Sequence, residues 1–125
     1  MVLVEVSKGE LIDKITILEI KSVRIIEEDK LVNVRRELDA LRAIEFPTEQ
    51  KQALKKINEI LWDVEERLRY LEALGDFGEE FVEKARMVYK FNDERSRIKK
   101  DINIAHGSDI VEEKSYTTNV QRSSV

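Results

Sequence analysis

The sequence contains no cysteine, one histidine and one proline among its 125 residues. Without cysteine the chain has no disulfide, no iron–sulfur cluster, no thiolate zinc site and no cysteine nucleophile. The single histidine, His106, excludes a metal site that needs two histidines from one chain. One proline and four glycines are too few for the many turns of an all-β protein. The composition therefore favours an all-α protein, and we expect no metal and no cofactor.

Neither sign of charge is in large excess. The chain has 22 lysines and arginines against 26 acidic residues, a formal net charge of −4. A general nucleic-acid binder usually carries a basic surface, so we expect no nucleic-acid partner. No apolar run approaches the length of a membrane span, and residues 1–6 are too short for a signal-peptide core. We therefore expect a soluble, cytoplasmic protein with no membrane partner.

Four amphipathic segments predict an all-α fold, an antiparallel four-helix bundle. Short connections make sequential helices antiparallel neighbours. We expect a short N-terminal strand over residues 1–6, because Val and Leu dominate there, and this strand would pair with the tail near Ile110. The helical domain covers 1–107 and a polar C-terminal tail covers 108–125. The predicted helices are 8–28, 29–44, 49–74 and 79–106.

The helix ends are predicted from capping residues. Ser7 and Glu10 form a capping box, in which each side chain bonds the other residue's backbone amide. Asp29 and Thr48 are the other expected N-caps. Pro47 and Gly75 are the expected stop signals.

The third predicted helix carries a tryptophan on a polar face. That face also holds Asn58, Glu65 and Arg69, within about 60° of arc at roughly 100° per residue. So large an apolar side chain in polar surroundings calls for a partner surface. A second helix, a ligand stacked on Trp62 beside Arg69, or simple exposure would each account for the pattern. A second subunit is one source of such a helix, and we therefore predict a homo-oligomer.

Arg95 lies near the middle of the apolar seam of the fourth helix, in a row that continues through Asn92 and Lys99. An unpaired buried charge costs several kcal/mol, so Arg95 needs a carboxylate or an anionic ligand. Both readings stay open: a structural Arg–Glu pair, or an anion-binding pocket.

The first helix shows a second, mixed face. Isoleucines between charged residues indicate burial on two sides, and the basic side chains are suited to a phosphate or carboxylate. Salt bridging along a solvated face is the simpler reading. The residues of this face and its border are Asp13, Lys14, Ile17, Ile20, Lys21 and Arg24.

The candidate site combines the basic, amide and aromatic side chains of these three helices. We expect them to bind a small anionic ligand, such as a nucleotide or a phosphorylated metabolite, with Trp62 stacking on it. In the alternative, a structural or assembly protein, the same polar residues pair only with each other. No catalytic residue is identified. The candidate ligand-binding residues are Lys14, Lys21, Arg24, Trp62, Arg69, Asn92, Arg95 and Lys99.

Two segments resemble parts of helical enzymes. The run from Leu11 to Arg24 resembles the first helix of the helical chorismate mutases, which bind a dicarboxylate with Arg and Lys and need no cofactor. Glu79, Glu80 and Glu83 resemble the first half of the EExxE pattern of all-helical, Mg²⁺-dependent nucleotide pyrophosphohydrolases, whose downstream ExxD element is missing here. An enzyme of either type is the second alternative function.

A longer resemblance covers nearly the whole chain. The segments 9–21, 58–69, 85–89, 92–93, 107–108 and 112–116 resemble a family of small uncharacterised helical proteins of bacteria and bacteriophages. This resemblance implies a soluble, cytoplasmic protein, with a bacteriophage as one source, and implies no activity. It falls on the same residues as the helical-wheel argument, among them Asp13, Lys14, Trp62 and Arg69.

Overall fold

The computed structural model describes residues 2–108 and residue 113, and within them it contains four α-helices and no strand. The helices are α1 (Lys8–Arg24), α2 (Glu28–Arg42), α3 (Lys51–Leu74) and α4 (Glu79–Ala105). The all-helical prediction is confirmed. The predicted N-terminal strand is wrong: residues 2–7 form neither helix nor strand. Its proposed partner near Ile110 lies outside the described residues.

The first two helices are separate. Ile25 and Glu27 have extended backbone conformations, so α1 ends at Arg24 rather than at residue 28. Ile25 is half-buried and packs against the apolar core between α1 and α2. Burial of this side chain at the turn explains why the chain reverses here. Asp29 lies inside α2, and Glu27 takes the N-cap position without a side-chain capping bond.

Helix α1 lies at the centre of the fold. α2 packs against α1, while α3 and α4 pack against each other and against α1. One apolar cluster joins α1 to α2 through Leu18 and Leu38, and a second joins α1, α3 and α4 through Ile12, Leu54 and Ile102. Within residues 2–108, α2 and α3 are successive helices that do not pack together. The fold is therefore a central helix with α2 on one side and an antiparallel hairpin on the other, rather than an even bundle.

The capping predictions are correct in part. The amide of Glu10 donates to Ser7 Oγ at 3.1 Å, and Gly75 ends α3 with a left-handed φ of 68°. The Glu10 carboxylate turns away from Ser7 to Lys99, so the second half of the capping box is wrong. Thr48 donates to the Gln50 side chain instead of capping α3, which begins at Lys51.

Gly9 permits a close contact between α1 and α4. A Cβ at this position would lie 2.4 Å from the backbone oxygen of Lys99. The Gly9 amide also donates to Asn103 Oδ1 at 2.7 Å. The two helices can approach this closely only because residue 9 has no side chain. This contact fixes the start of α1 against the end of α4.

Candidate ligand-binding site

A cavity of about 520 Å³ opens where α1, α3 and α4 meet. Isoleucines of α1 and the tryptophan of α3 supply apolar walls, and polar groups of α3 and α4 lie beside them. Four of the eight predicted site residues line this cavity. The principal lining residues are Ile17, Ile20, Trp62, Arg69, Asn92 and Arg95.

The indole of Trp62 is held in place within its own helix. Its Nε1 donates to Glu66 Oε1 at 2.9 Å, one helical turn further on. The ring is half-buried. Because one edge of the ring is fixed by this bond, the indole offers an oriented apolar surface to the cavity.

Arg95 is bound by a buried carboxylate from α1. Its Nε donates to Asp13 Oδ1 at 2.9 Å, and its Nη2 donates to Asp13 Oδ2. The Asp13 side chain is 1% exposed and that of Arg95 is 28% exposed. A two-bond contact of this kind fixes the plane of the guanidinium. Arg95 therefore has the carboxylate partner that its position requires, an aspartate rather than a glutamate, and still reaches the cavity wall.

Further polar side chains hold Asp13 in position. Asn58 Nδ2 donates to Asp13 Oδ1 and to Thr16 Oγ1, at 2.9 Å each. Lys99 Nζ lies 3.9 Å from Asp13 Oδ2. Among the described residues, no buried side-chain nitrogen or oxygen lacks a hydrogen-bond partner. Asn58, placed by the sequence on a polar outer face, is thus a buried part of this network.

Arg69 lines the cavity and forms no ion pair among the described residues. No carboxylate of those residues lies within 4.0 Å of its guanidinium. Its side chain is exposed. Glu65 and Glu66 also line the cavity, so its rim carries both signs of charge. Arg69 thus lines the rim as a positive charge alongside two carboxylates.

Lys14 and Lys21 line a second, smaller cavity of about 200 Å³. Lys14 Nζ lies 3.9 Å from Glu37 Oε1, with both side chains about half-exposed. Ile17 and Arg95 line this cavity as well as the larger one. The two cavities therefore adjoin along α1 and share Arg95.

Arg24 and Lys99 line neither of these cavities. Arg24 Nη1 donates to Asp63 Oδ1 at 2.6 Å, and this hydrogen bond raises the pKa of Arg24. Lys99 is buried and binds Glu10 Oε2 at 2.7 Å. Arg24 thus joins α1 to α3, and Lys99 joins α4 to α1. Neither the apolar period nor the charge pattern of the sequence identifies these two ion pairs.

The acidic start of α4 is engaged in surface ion pairing. Both carboxylate oxygens of Glu80 accept hydrogen bonds from Arg67 at 2.8 Å, which lowers the pKa of Glu80. No group of three or more carboxylate or histidine side chains in the described part of the chain is arranged to hold a metal ion. The resemblance of Glu79, Glu80 and Glu83 to a magnesium-binding pattern thus gains no support from their positions.

Two residues of the site escaped the sequence reasoning. Asp13 was recognised on a mixed face but not as the partner of Arg95, which is 82 positions away. Glu66 was not considered, although its i,i+4 spacing from Trp62 is the separation at which helical side chains meet. A spacing test would have found Glu66, whereas the partner of Arg95 depends on how α1 packs on α4.

The chain belongs to DUF6165, a family of unknown function, whose model matches residues 2–125. No curated protein and no solved structure matches the chain. No helix among the described residues combines the length and the apolar character that crossing a membrane requires.

Proposed function

We propose that this protein is a binding module for a small anionic molecule that carries a planar or apolar portion. The molecule binds in the larger cavity, its ring against Trp62 and its charged group toward Arg69 and Arg95. The observation that carries the proposal is the cavity itself, in which an oriented indole and two guanidinium groups line one space. Ligand pockets commonly pair an apolar wall with a few fixed polar groups.

Fixed orientation of the two central side chains supports the proposal. Glu66 positions the indole, and Asp13 positions the Arg95 guanidinium. A preorganised site loses less conformational freedom when it binds a ligand. Arg69 adds a positive charge that has no carboxylate of the described residues within 4.0 Å, and Glu65 and Glu66 line the same cavity beyond that distance.

The assembly alternative rests on a different observation. The bond between Arg95 and Asp13 is the structural pairing that this alternative expects. Arg69 does not follow that pattern, and a purely structural role leaves the cavity unused. We therefore retain ligand binding as the principal function, with assembly and the two enzyme types as alternatives.

We also propose that the chain self-associates, and the structural support for this differs from the argument made from the sequence. The second face of α1 is covered within the chain, since Asp13 and Ile20 are buried. The remaining support is the N-terminal segment, in which Val2, Leu3 and Val4 are 86%, 89% and 75% exposed. A cytoplasmic location and an origin in bacteria or bacteriophages also stay predictions.

The first test uses native mass spectrometry of protein freshly purified from expressing cells. A multimer that carries extra mass would support both binding and self-association, and the mass would identify the ligand class. A panel of nucleoside 5′-monophosphates and aromatic carboxylates is then titrated while the fluorescence of Trp62, the single tryptophan, is recorded. We expect a saturable change for members that join a ring to an anion.

Matched variants locate the binding. We expect Arg69→Ala to weaken binding about tenfold, the scale of one hydrogen bond to a charged group. Arg36→Ala is the control, because Arg36 is equally exposed on α2 and lines none of the cavities described. A bare mass together with no fluorescence response to any probe would contradict the proposal. Turnover of chorismate or of a nucleoside triphosphate would instead favour an enzyme.

A further inference from the structure

The two cavities along α1 lie side by side, and Arg95 is part of the wall of each. Ile17 and Arg95 line both cavities. The larger one contains Trp62 and Arg69, whereas the smaller one contains Lys14 and Lys21. Any molecule that fills both must therefore pass the Arg95 guanidinium.

The smaller cavity has cationic groups that are open to a ligand. Among the described residues, no carboxylate lies within 4.0 Å of Lys21. Lys14 is 3.9 Å from Glu37, a long contact between two half-exposed side chains. Exposed pairs of this kind contribute little to stability, so an anion that binds Lys14 more strongly displaces Glu37 at little cost.

The carboxylates deeper in the smaller cavity are already engaged. Asp13 accepts two hydrogen bonds from Arg95, and Glu10 accepts one from Lys99 at 2.7 Å. Their charges are thus compensated within the protein. Lys14 and Lys21, seven residues apart on α1, lie about 10 Å apart along the helix axis, a span that suits a short chain of phosphoryl groups.

From these contacts we infer that the ligand carries a second anionic group and that Lys14 and Lys21 bind it. The inference rests on the proposed function, because the ring of the same molecule occupies the larger cavity. The class that fits both ends is a phosphorylated ring compound, of which a nucleoside polyphosphate is the test case. In this arrangement Arg95 lies beside the link between ring and terminal phosphate, and Lys21 selects for the number of phosphates.

The test compares nucleoside 5′-monophosphates with the corresponding triphosphates, by calorimetry and by Trp62 fluorescence. We expect the triphosphates to bind about tenfold more tightly, as one added charged hydrogen bond provides. We expect Lys21→Gln to remove that gain, so that the ratio of triphosphate to monophosphate affinity falls to about one. Lys56→Gln is the matched control, since Lys56 is an exposed lysine of α3 that lines none of the cavities described.

The outcomes separate the two proposals. If monophosphates and triphosphates bind equally, or if the gain survives Lys21→Gln, the second subsite is wrong while the first stands. If neither series binds and the native mass is bare, the proposed function fails and the second subsite fails with it. Variant folding is checked by the helical circular dichroism signal, which we expect to stay intact for both the half-buried Lys21 and the exposed Lys56.

Discussion

Asp13 is the residue on which the site most depends. It is the buried carboxylate that orients Arg95, and Asn58 and Thr16 complete its surroundings. Removing one partner of a buried pair leaves the other charge without compensation, at a cost of about 3–5 kcal/mol. Loss of this pair therefore lowers the free energy of unfolding. It also affects the proposed ligand binding, because Asp13 sets the position of Arg95.

At this scale we predict unequal effects from two similar substitutions. Asp13→Asn should lower the free energy of unfolding by about 3 kcal/mol or more. Asp63→Asn, which breaks the exposed pair with Arg24, should lower the free energy of unfolding far less. Urea denaturation of both variants measures the difference. Equal losses would show that the Asp13 pair has no special structural importance.

The sequence identifies four of the residues that line the larger cavity but not their partners. Trp62, Arg69, Asn92 and Arg95 were selected because each interrupts a helical pattern, and the structure places all four on one cavity. Periodicity reports the face on which a residue lies. Periodicity does not show which helix packs against that face. The pairing of Asp13 with Arg95 therefore becomes visible only in the structure.

Among the elements, the turn into α3 is held by a charged cluster around Glu19. The Glu19 carboxylate of α1 lies 3.0 Å from Lys51 Nζ, 3.2 Å from Arg42 Nη2 and 3.3 Å from Lys55 Nζ. Burial raises the pKa of Glu19, but the hydrogen bonds from Lys51, Arg42 and Lys55 outweigh burial and hold the pKa below its ordinary value. The cluster thereby connects α1 to the end of α2 and to the start of α3.

We predict that this cluster makes stability depend on acidity. Because the folded-state pKa of Glu19 is lowered, its stabilising contribution is present above the unfolded-state pKa and is lost as pH falls through the folded-state pKa. As the pH is lowered from about 6 to about 3, the free energy of unfolding should decrease more steeply for the native protein than for Glu19→Gln. Parallel curves would contradict this assignment.

Helix positions were predicted better than helix ends. All four helices occur where apolar periodicity places them, yet the end of α1 lies four residues before the predicted end, and the end of α2 and the start of α3 differ by two residues each. No proline or glycine near Arg24 indicates that α1 ends there. It follows from the packing of Ile25 on the core between α1 and α2, a tertiary contact that local propensity does not contain.

For the whole molecule, the central position of α1 implies unequal local stability. α2 packs against α1, with Leu31, Val34 and Leu38 as its buried apolar side chains. α3 and α4 pack against each other as well as against α1. An element with fewer packed neighbours opens at a lower free energy than the rest of the fold.

We therefore predict faster amide hydrogen exchange in α2 than in the buried parts of α1, α3 and α4. Leu38→Ala should increase that difference, because it removes a buried side chain from the contact between α1 and α2. Exchange measured peptide by peptide with mass spectrometry resolves the helices. Uniform protection across all four would show that the molecule opens as a single unit.

The contact of Gly9 with Asn103 also bears on the order of events during synthesis. α1 is synthesised before α4, and Asn103 follows Gly9 by 94 residues. Until then the groove along α1 that receives α4 has nothing to fill it, whereas α3 and α4 meet as soon as their short connection is made. The nascent chain thus carries an incompletely packed α1 until α4 has been made.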